Sequence, residues 1–352
     1  MNTRALFLSG DLSSIGGIEK YNRDLIAALE TAGVKVHTVQ RRVGGLGSKV
    51  RFFLETLLGL LIFRPNYLVC GHLYFSPLAI VANTLLGLRY SLSLYGIEAI
   101  RIDKSIHKKA VCRADRVIVI SEYTKQLVTR QFPLEPEKLF MLVSSVDEER
   151  YFLIPCREKL KEKYGLEGHQ VVLTLSRLSS GEEKGQHRVL IAMPEILKRY
   201  PEARYVVAGP GIDDRITKVL TDYPSLKRSL VQIGPVSEEQ KLELYNLCDV
   251  FILPSKNEGF GIVFIEALAC GAQVIASDAY GCREGLRDGL LGALVNPDDS
   301  VSISRAILNA LDRSSYLDEK QRISNRSKTM EIYSYQAWCE TVNTLAERMV
   351  AR

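Results

Sequence analysis

The feature that most limits the fold is a rhythm. Short apolar runs of strand character alternate with stretches of helical period, and the rhythm is stated twice along the chain. In the first half "RALFLS" reads as a buried strand, "IEKYNRDLIAALETAG" as a helix with Ile18, Tyr21, Leu25 and Leu29 on one stripe, and "VKVHTV" as the next strand. Together they make a β-α-β unit. Further strands are expected at "YLVCG" (67 to 71), "YSLSLYG" (90 to 96), "RVIVIS" (116 to 121) and "LFMLVS" (139 to 144). Several are followed by helical stretches, as the crossovers of a parallel sheet require.

The rhythm restarts after "DEERYFLIPCREKLKEKYG", a charged stretch with Pro155 that reads as a linker running into a helix. Strands are then expected at "VVLTLS" (171 to 176), "RYVVAG" (204 to 209), "LVQIG" (230 to 234), "VFILP" (250 to 254) and "QVIAS" (273 to 277). A chain of 352 residues has material for two cores. The expected architecture is α/β, with one Rossmann-like doubly wound domain over 1–150 and a second over 151–333. The last helix, within 334–352 ("SYQAWCETVNTLAERMV"), has no following strand and is expected to dock back on the N-terminal domain. Two such halves facing each other would form a cleft at the carboxyl ends of their strands, where open α/β sheets take ligands.

Composition excludes several classes. A formal net charge of +5, from 46 basic and 41 acidic residues, is too small an excess to imply nucleic-acid binding without a clustered patch. The seven cysteines (70, 112, 156, 248, 270, 282, 339) are odd in number, scattered and without a C-x2-C pair, which argues against a disulfide framework and a zinc site. They read as thiols of a reducing cytosol. "MNTRALFLSG" does not read as a secretory signal. The longest apolar stretch, "FFLETLLGLLIF" (52 to 63), carries Glu55. As a helix it would span about 18 Å against a hydrocarbon core of about 30 Å, so it does not cross a bilayer.

One segment carries chemistry. "PSKNEGFGIVFIEALACGAQVIASD" (254 to 278) sets Glu258 and Glu266 eight positions apart around a Gly-Phe-Gly turn. On a continuous helix they would lie about 80° apart around the axis and about 12 Å along it, which argues against a single shared acid/base task. Gly259 and Gly261 instead make 257 to 261 a loop, with a helix starting near Ile262 and Glu266 on its second turn. The start of such a helix offers unpaired N–H groups and a positive dipole end, and the glycines admit a close-lying ligand. A diphosphate fits there. One carboxylate can accept hydrogen bonds from a ribose diol and the other can meet a sugar's hydroxyls or its developing positive charge.

With its continuation "AYGCREGL", this segment resembles the donor-binding signature of glycosyltransferase family 4, retaining enzymes with the two-Rossmann GT-B fold. "LSRLSSGEEKGQHRVLIAM" (175 to 193) resembles the family's Arg…Lys-Gly segment, "GPVSEEQKLELYNLCDVFILPS" its run into the signature, and "GDLSSIGGIEKYNRDLIAAL" its amino-terminal Gly-Gly loop. The resemblance implies an N-terminal acceptor-binding domain and a C-terminal nucleotide-sugar-binding domain. It implies that Arg177 and Lys184 contact the diphosphate, as long cations facing a doubly charged leaving group would. Glu266 would bind the ribose, Glu258 the transferred sugar, and the backbone of Gly259, Phe260, Gly261, Ile262 and Val263 the sugar and phosphates. Gly16 and Gly17 would let the opposing backbone close on the donor phosphates. Glu258, Arg177 and Lys184 are the residues expected to carry catalysis. No metal and no cofactor is expected, and the chain has no D-x-D cluster.

There is one departure. Where the family commonly has a histidine in an "HG-x-E" segment, this chain reads "LYGIEAI", with Tyr95 at that position. A phenol of ordinary pKa about 10 is a poor base at neutral pH, so the histidine's role does not transfer. Tyr95 is expected on the acceptor side as a hydrogen-bonding group. His72 in "CGHLYFSP" either joins it there or is an ordinary core or surface histidine, the commoner fate. Arg41, Arg42, Lys49, Arg51 and Arg64 flank the apolar run near 52 to 63. That segment either lies on anionic lipid beside a membrane-bound acceptor or packs on the N-terminal sheet with its ends solvated.

The expected function is transfer of a hexosyl-type residue from a nucleotide-diphosphate sugar to a hydroxyl of a glycan or lipid-linked saccharide, in the cytoplasm or at the inner membrane face. Two rivals share the architecture: a nucleotide-sugar epimerase or hydrolase, and a catalytically silent sugar-binding subunit. A nicotinamide-dependent dehydrogenase is disfavoured because G-x-G-x-x-G is missing after the first strand.

Overall fold

A computed structural model describes residues 3–14, 16–181, 183–256, 258–314 and 319–350. The chain divides into two units, Met1–Ser144 with Gln336–Arg352, and Ser145–Tyr335. The first division falls six residues before the one expected at 150. The reason lies in the supposed linker. Val146 N–H donates to Tyr333 O at 2.8 Å, Ile154 N–H to Asn246 Oδ1 at 2.8 Å, and the fully buried Tyr151 donates its hydroxyl to Glu238 at 2.9 Å. The charges of Asp147 to Arg150 disguise a segment that is hydrogen-bonded into the second unit.

Unit 1 holds strands β1 (Arg4–Gly10), β2 (Lys35–Arg41), β3 (Tyr67–Cys70), β4 (Arg89–Leu94), β5 (Arg116–Val119) and β6 (Leu139–Met141). They form one parallel sheet in the order β2-β1-β3-β4-β5-β6. Its helices are α1 (Gly17–Thr31), α2 (Leu46–Leu58), α3 (Ser76–Leu86), α4 (Ser105–Arg113) and α5 (Glu122–Gln131). The core strands are buried on both faces, which is why Ala5 to Leu8 and Leu68 to Cys70 read as unbroken apolar runs. Helix α1 buries Tyr21, Leu25, Ala28 and Leu29, a single stripe at helical spacing. Helix α2 continues into one π-helical turn, Gly59–Phe63.

Unit 2 holds β7 (Val171–Leu175), β8 (Leu178–Ser179), β9 (Arg204–Ala208), β10 (Gly211–Ile212), β11 (Leu230–Gly234), β12 (Val250–Leu253), β13 (Gln273–Ser277) and β14 (Ala293–Val295). Its main sheet is parallel in the order β11-β9-β7-β12-β13-β14, and β8 pairs with β10 apart from it. The helices are α6 (Arg157–Lys163), α7 (Gln186–Arg199), α8 (Asp214–Asp222), α9 (Glu238–Leu247), α10 (Ile262–Ala269), α11 (Cys282–Gly285), α12 (Ser300–Ser314) and α13 (Glu319–Tyr333). Strand β14 was not anticipated: of its three residues only Val295 is buried, too little for an apolar run. Both sheets are the doubly wound α/β layers expected.

Helix α14 (Tyr335–Val350) belongs, from Gln336 onward, to unit 1. Trp338 donates its indole N–H to Val143 O at 2.6 Å and sets its ring edge-on to Tyr21 at 5.8 Å. Val342, Leu345, Ala346 and Met349 continue the buried face. Leu345→Ala is therefore expected to destabilise unit 1 by about 2–5 kcal/mol, the usual loss for a buried leucine. A urea titration followed by tryptophan fluorescence measures this directly, since Trp338 is the chain's one tryptophan.

Candidate functional site

In unit 2 the strand order reverses between the neighbouring β7 and β12, so connections leave to opposite faces there and a crevice opens at their carboxyl ends. The residues singled out by sequence follow those two strands. Arg177 comes two residues after β7, and the loop running to Gly261 follows β12. Asn257 of that loop, and Glu182 of the Arg…Lys-Gly segment, lie outside the described residues. Gly261 caps the start of α10 at φ +85°, a conformation that favours glycine, and no side chain caps the helix. Gly281 packs against the loop so closely that a Cβ there would lie 2.0 Å from Gly259 O. Phe260 turns its ring into the core, edge-on to Tyr333 at 5.7 Å, so a ligand could use only its backbone.

The loop carries an ion pair. Lys184 Nζ lies 2.7 Å from Glu258 Oε2, with the two side chains 17% and 21% exposed, sheltered yet reachable. The segment bearing Lys184 is stitched to this loop by Lys256 N–H to Glu183 O at 2.7 Å and Ser255 Oγ to Glu183 O at 3.2 Å. Glu183 is held in turn by Arg188 at 2.6 Å and Arg215 at 2.9 Å, and Arg215 also grips Asp213. The hydrogen bond from Arg188 outweighs burial and keeps Glu183 below the ordinary carboxylate range. Arg177 is exposed; its turn is fixed by Gln186, whose Nε2 donates to Ser176 Oγ at 2.8 Å and Arg177 O at 3.0 Å.

Glu266 is placed differently. It lies on the second turn of α10, as expected, but is 1% exposed. Its Oε2 accepts from Tyr245 Oη at 3.2 Å and lies 3.2 Å from Lys241 Nζ. Lys241 also meets Glu238 at 3.1 Å. Burial alone would lower the lysine's pKa, but Glu266 and Glu238 outweigh it and hold it above the ordinary value. Lys241 and Tyr245 were not singled out from sequence. The available signal was their i, i+4 spacing on α9, a helix opened by a Ser237/Gln240 capping box.

In unit 1 the strand order reverses between β1 and β3. Gly16 caps α1 without a side-chain hydrogen bond and Gly17 begins the helix, so this end presents backbone N–H groups. His72 follows β3 and accepts Tyr74 N–H on Nδ1 at 3.0 Å, which leaves the ring proton on Nε2. Tyr95 corrects an expectation. Its hydroxyl lies 2.7 Å from Asn22 Oδ1 and 3.1 Å from Gly71 O, and the residue is 7% exposed. Burial raises its pKa well above 10. The phenol is thus used inside the unit rather than presented to an acceptor, and the His72 ring stacks on it at 6.2 Å.

Among the described residues, no group of three or more His, Cys, Asp or Glu side chains is arranged to hold a metal ion. No helix there is long and apolar enough to cross a membrane.

Residues 156–330 match the family described as Glycosyl transferases group 1. The chain is 31% identical over 203 residues to the GDP-mannose-dependent alpha-(1-6)-phosphatidylinositol monomannoside mannosyltransferase of Mycolicibacterium smegmatis, covering 55% of this chain and 52% of that protein. It thus spans about half the length of that curated relative. Among solved structures it resembles a sucrose-phosphate synthase from Thermosynechococcus elongatus, with a TM-score of 0.84 at 18% identity over 99% of this chain and 100% of that one. It also resembles Anabaena HepE in complex with UDP and glucose, with a TM-score of 0.79 at 18% identity over the whole of both chains. These likenesses establish the GT-B fold.

The buried charges around Glu266 give a stability prediction. Lys241→Met leaves that carboxylate buried without its cation and is expected to destabilise unit 2 by about 3–5 kcal/mol. Adding Glu266→Gln to the same protein should return most of the loss. Chemical denaturation of the two single variants and the double variant closes the cycle.

Proposed function

Residues 156–330 match the glycosyl transferases group 1 family, and on that premise we propose that this chain moves a hexosyl-type residue, with retention, from a nucleotide-diphosphate sugar to an acceptor hydroxyl. The observation that carries the reading is the Lys184–Glu258 pair at the switch point of unit 2. The two charges hold each other in place before a donor arrives. On binding, the diphosphate takes Lys184 and Arg177 as cationic partners, and Glu258 turns to the sugar. The open start of α10 adds backbone N–H groups to the phosphates. Glu266 takes the ribose hydroxyls through Oε1, since Lys241 and Tyr245 both engage Oε2. In unit 1, the open start of α1 at Gly16–Gly17 offers backbone N–H groups to a phosphate, and His72 serves the acceptor.

The chemistry needs no protein base. The bond from the anomeric carbon to the phosphate oxygen breaks, and its electron pair leaves with the nucleoside diphosphate. The acceptor oxygen attacks the same face while its proton passes to the departing phosphate oxygen. A chain without the family's histidine suits this route, because the Tyr95 hydroxyl is occupied by Asn22 and Gly71. Neither a metal nor a cofactor takes part. The relative named for GDP-mannose and a phosphatidylinositol monomannoside, and the neighbour solved with UDP and glucose, support a nucleotide-sugar donor and a saccharide acceptor, free or lipid-linked. The reading places the protein in the cytoplasm, peripheral at the inner membrane face.

Glu258→Ala, Lys184→Ala and Arg177→Ala should each lower kcat/KM about 10²–10³-fold, the scale for losing one charge-stabilising group. Tyr95→Phe should keep most turnover. A nucleoside diphosphate at a hundred times its Kd should stabilise the wild type by about 2.7 kcal/mol and fail to stabilise Glu266→Ala. NMR of the product's anomeric configuration tests retention, and EDTA should leave the rate unchanged. Full consumption of donor without acceptor would replace this reading with a hydrolase, and nucleotide binding with no turnover would favour a silent sugar-binding subunit.

A further inference from the structure

A second feature of unit 1 lies outside the donor residues. A groove of about 360 Å³ runs between α2 and the start of α4, with Phe52, Phe75 and Leu78 in its lining and Arg41, Lys49 and Lys104 beside them. No carboxylate lines it, and among the described residues none of the three cations has an anionic partner. Arg41 stacks its guanidinium on the Tyr74 ring at 4.3 Å, and its Nε is buried with no hydrogen-bond partner.

The groove opens beside an apolar stripe on α2 and its π turn. Leu46, Val50, Phe53, Leu57, Leu61 and Ile62 recur there at helical spacing, and all are exposed. Glu55, the one acid between Arg41 and Arg64, is paired with Arg51 at 2.7 Å. A nucleotide would find few hydrogen-bonding groups on an aromatic floor, and a free sugar would leave the cations unmatched. One class of ligand meets both halves: a hydrocarbon chain ending in a phosphate.

We propose that this groove holds the lipid phosphate of a membrane-borne acceptor, its chain on Phe52, Phe75 and Leu78 and its phosphate on Arg41, Lys49 and Lys104. The assignment to the acceptor rests on the transferase reading above. His72, the acceptor-side residue, caps the 3₁₀ turn Leu73–Phe75 whose Phe75 lines the groove, so the saccharide end would lie one short turn from the lipid anchor. The exposed stripe is the face through which the chain leaves the bilayer.

The test uses the full chain, with farnesyl monophosphate as probe, and farnesol and inorganic phosphate as its separate halves, titrated calorimetrically below the probe's micelle concentration. Farnesyl phosphate is expected to bind at least tenfold more tightly than farnesol or phosphate. Lys49→Ala and the pair Arg41→Gln/Lys49→Ala should weaken it by about three- and tenfold or more, with the unfolding temperature and nucleoside-diphosphate stabilisation unchanged. Equal affinity for farnesol, or undiminished binding by the double variant, overturns the proposal. So does adsorption to phosphatidylglycerol vesicles with no binding of the single lipid. Farnesyl phosphate binding in a protein that shows no sugar transfer would leave the groove standing and remove its link to an acceptor.

Discussion

Every strand in each six-stranded sheet is parallel, and that constraint decides where chemistry can sit. Parallel strands all end on the same edge, so each sheet gathers its loops there, and the reversal of strand order parts two of those loops into a crevice. In unit 2 the reversal lies between β7 and β12, and Arg177, Lys184 and Glu258 all lie in segments that follow one or the other. The side-by-side pairing of β7 and β12 brings the loops that follow them together, and the Lys184–Glu258 contact at 2.7 Å forms between those loops.

The contact also depends on residues that touch no expected ligand. Glu183 neighbours Lys184, and its side chain is pinned between Arg188 and Arg215 while its carbonyl receives Lys256 and Ser255. Gly281 lets its backbone come against Gly259 at a distance no side chain would allow. The crevice is preorganised by these supports, in the sense that the Lys184 ammonium and the Glu258 carboxylate are already oriented toward each other.

Much of this was legible in the sequence because it is written in local pattern. The apolar runs gave both sheets, and Gly259, Gly261 and the helix after them gave the loop and the placing of Glu266 on a second turn. What was not legible depends on tertiary partners. The sequence showed two similar glutamates, whereas the fold makes one a sheltered rim charge and buries the other against Lys241 and Tyr245, which lie over 20 residues away. Tyr95 matched a family position, but its fate was set by Asn22 and Gly71, whose approach no spacing reveals. The division at 144 was missed for the same reason: the charges of Asp147 to Arg150 read as linker, and the bonds from Val146, Tyr151 and Ile154 are all long-range. Strand β14 was simply too short to leave a pattern.

The passage of α14 into unit 1 bears on the order in which the molecule can be built. Unit 1 is discontinuous: its sheet is made from the first 144 residues, yet Trp338, Val342 and Leu345 are translated only after all of unit 2. A growing chain therefore has every residue of its second unit before it can complete its first. Until then the surface beside Tyr21 and Val143 lacks its covering helix, and the earlier-made half must wait, partly uncovered, on the later one.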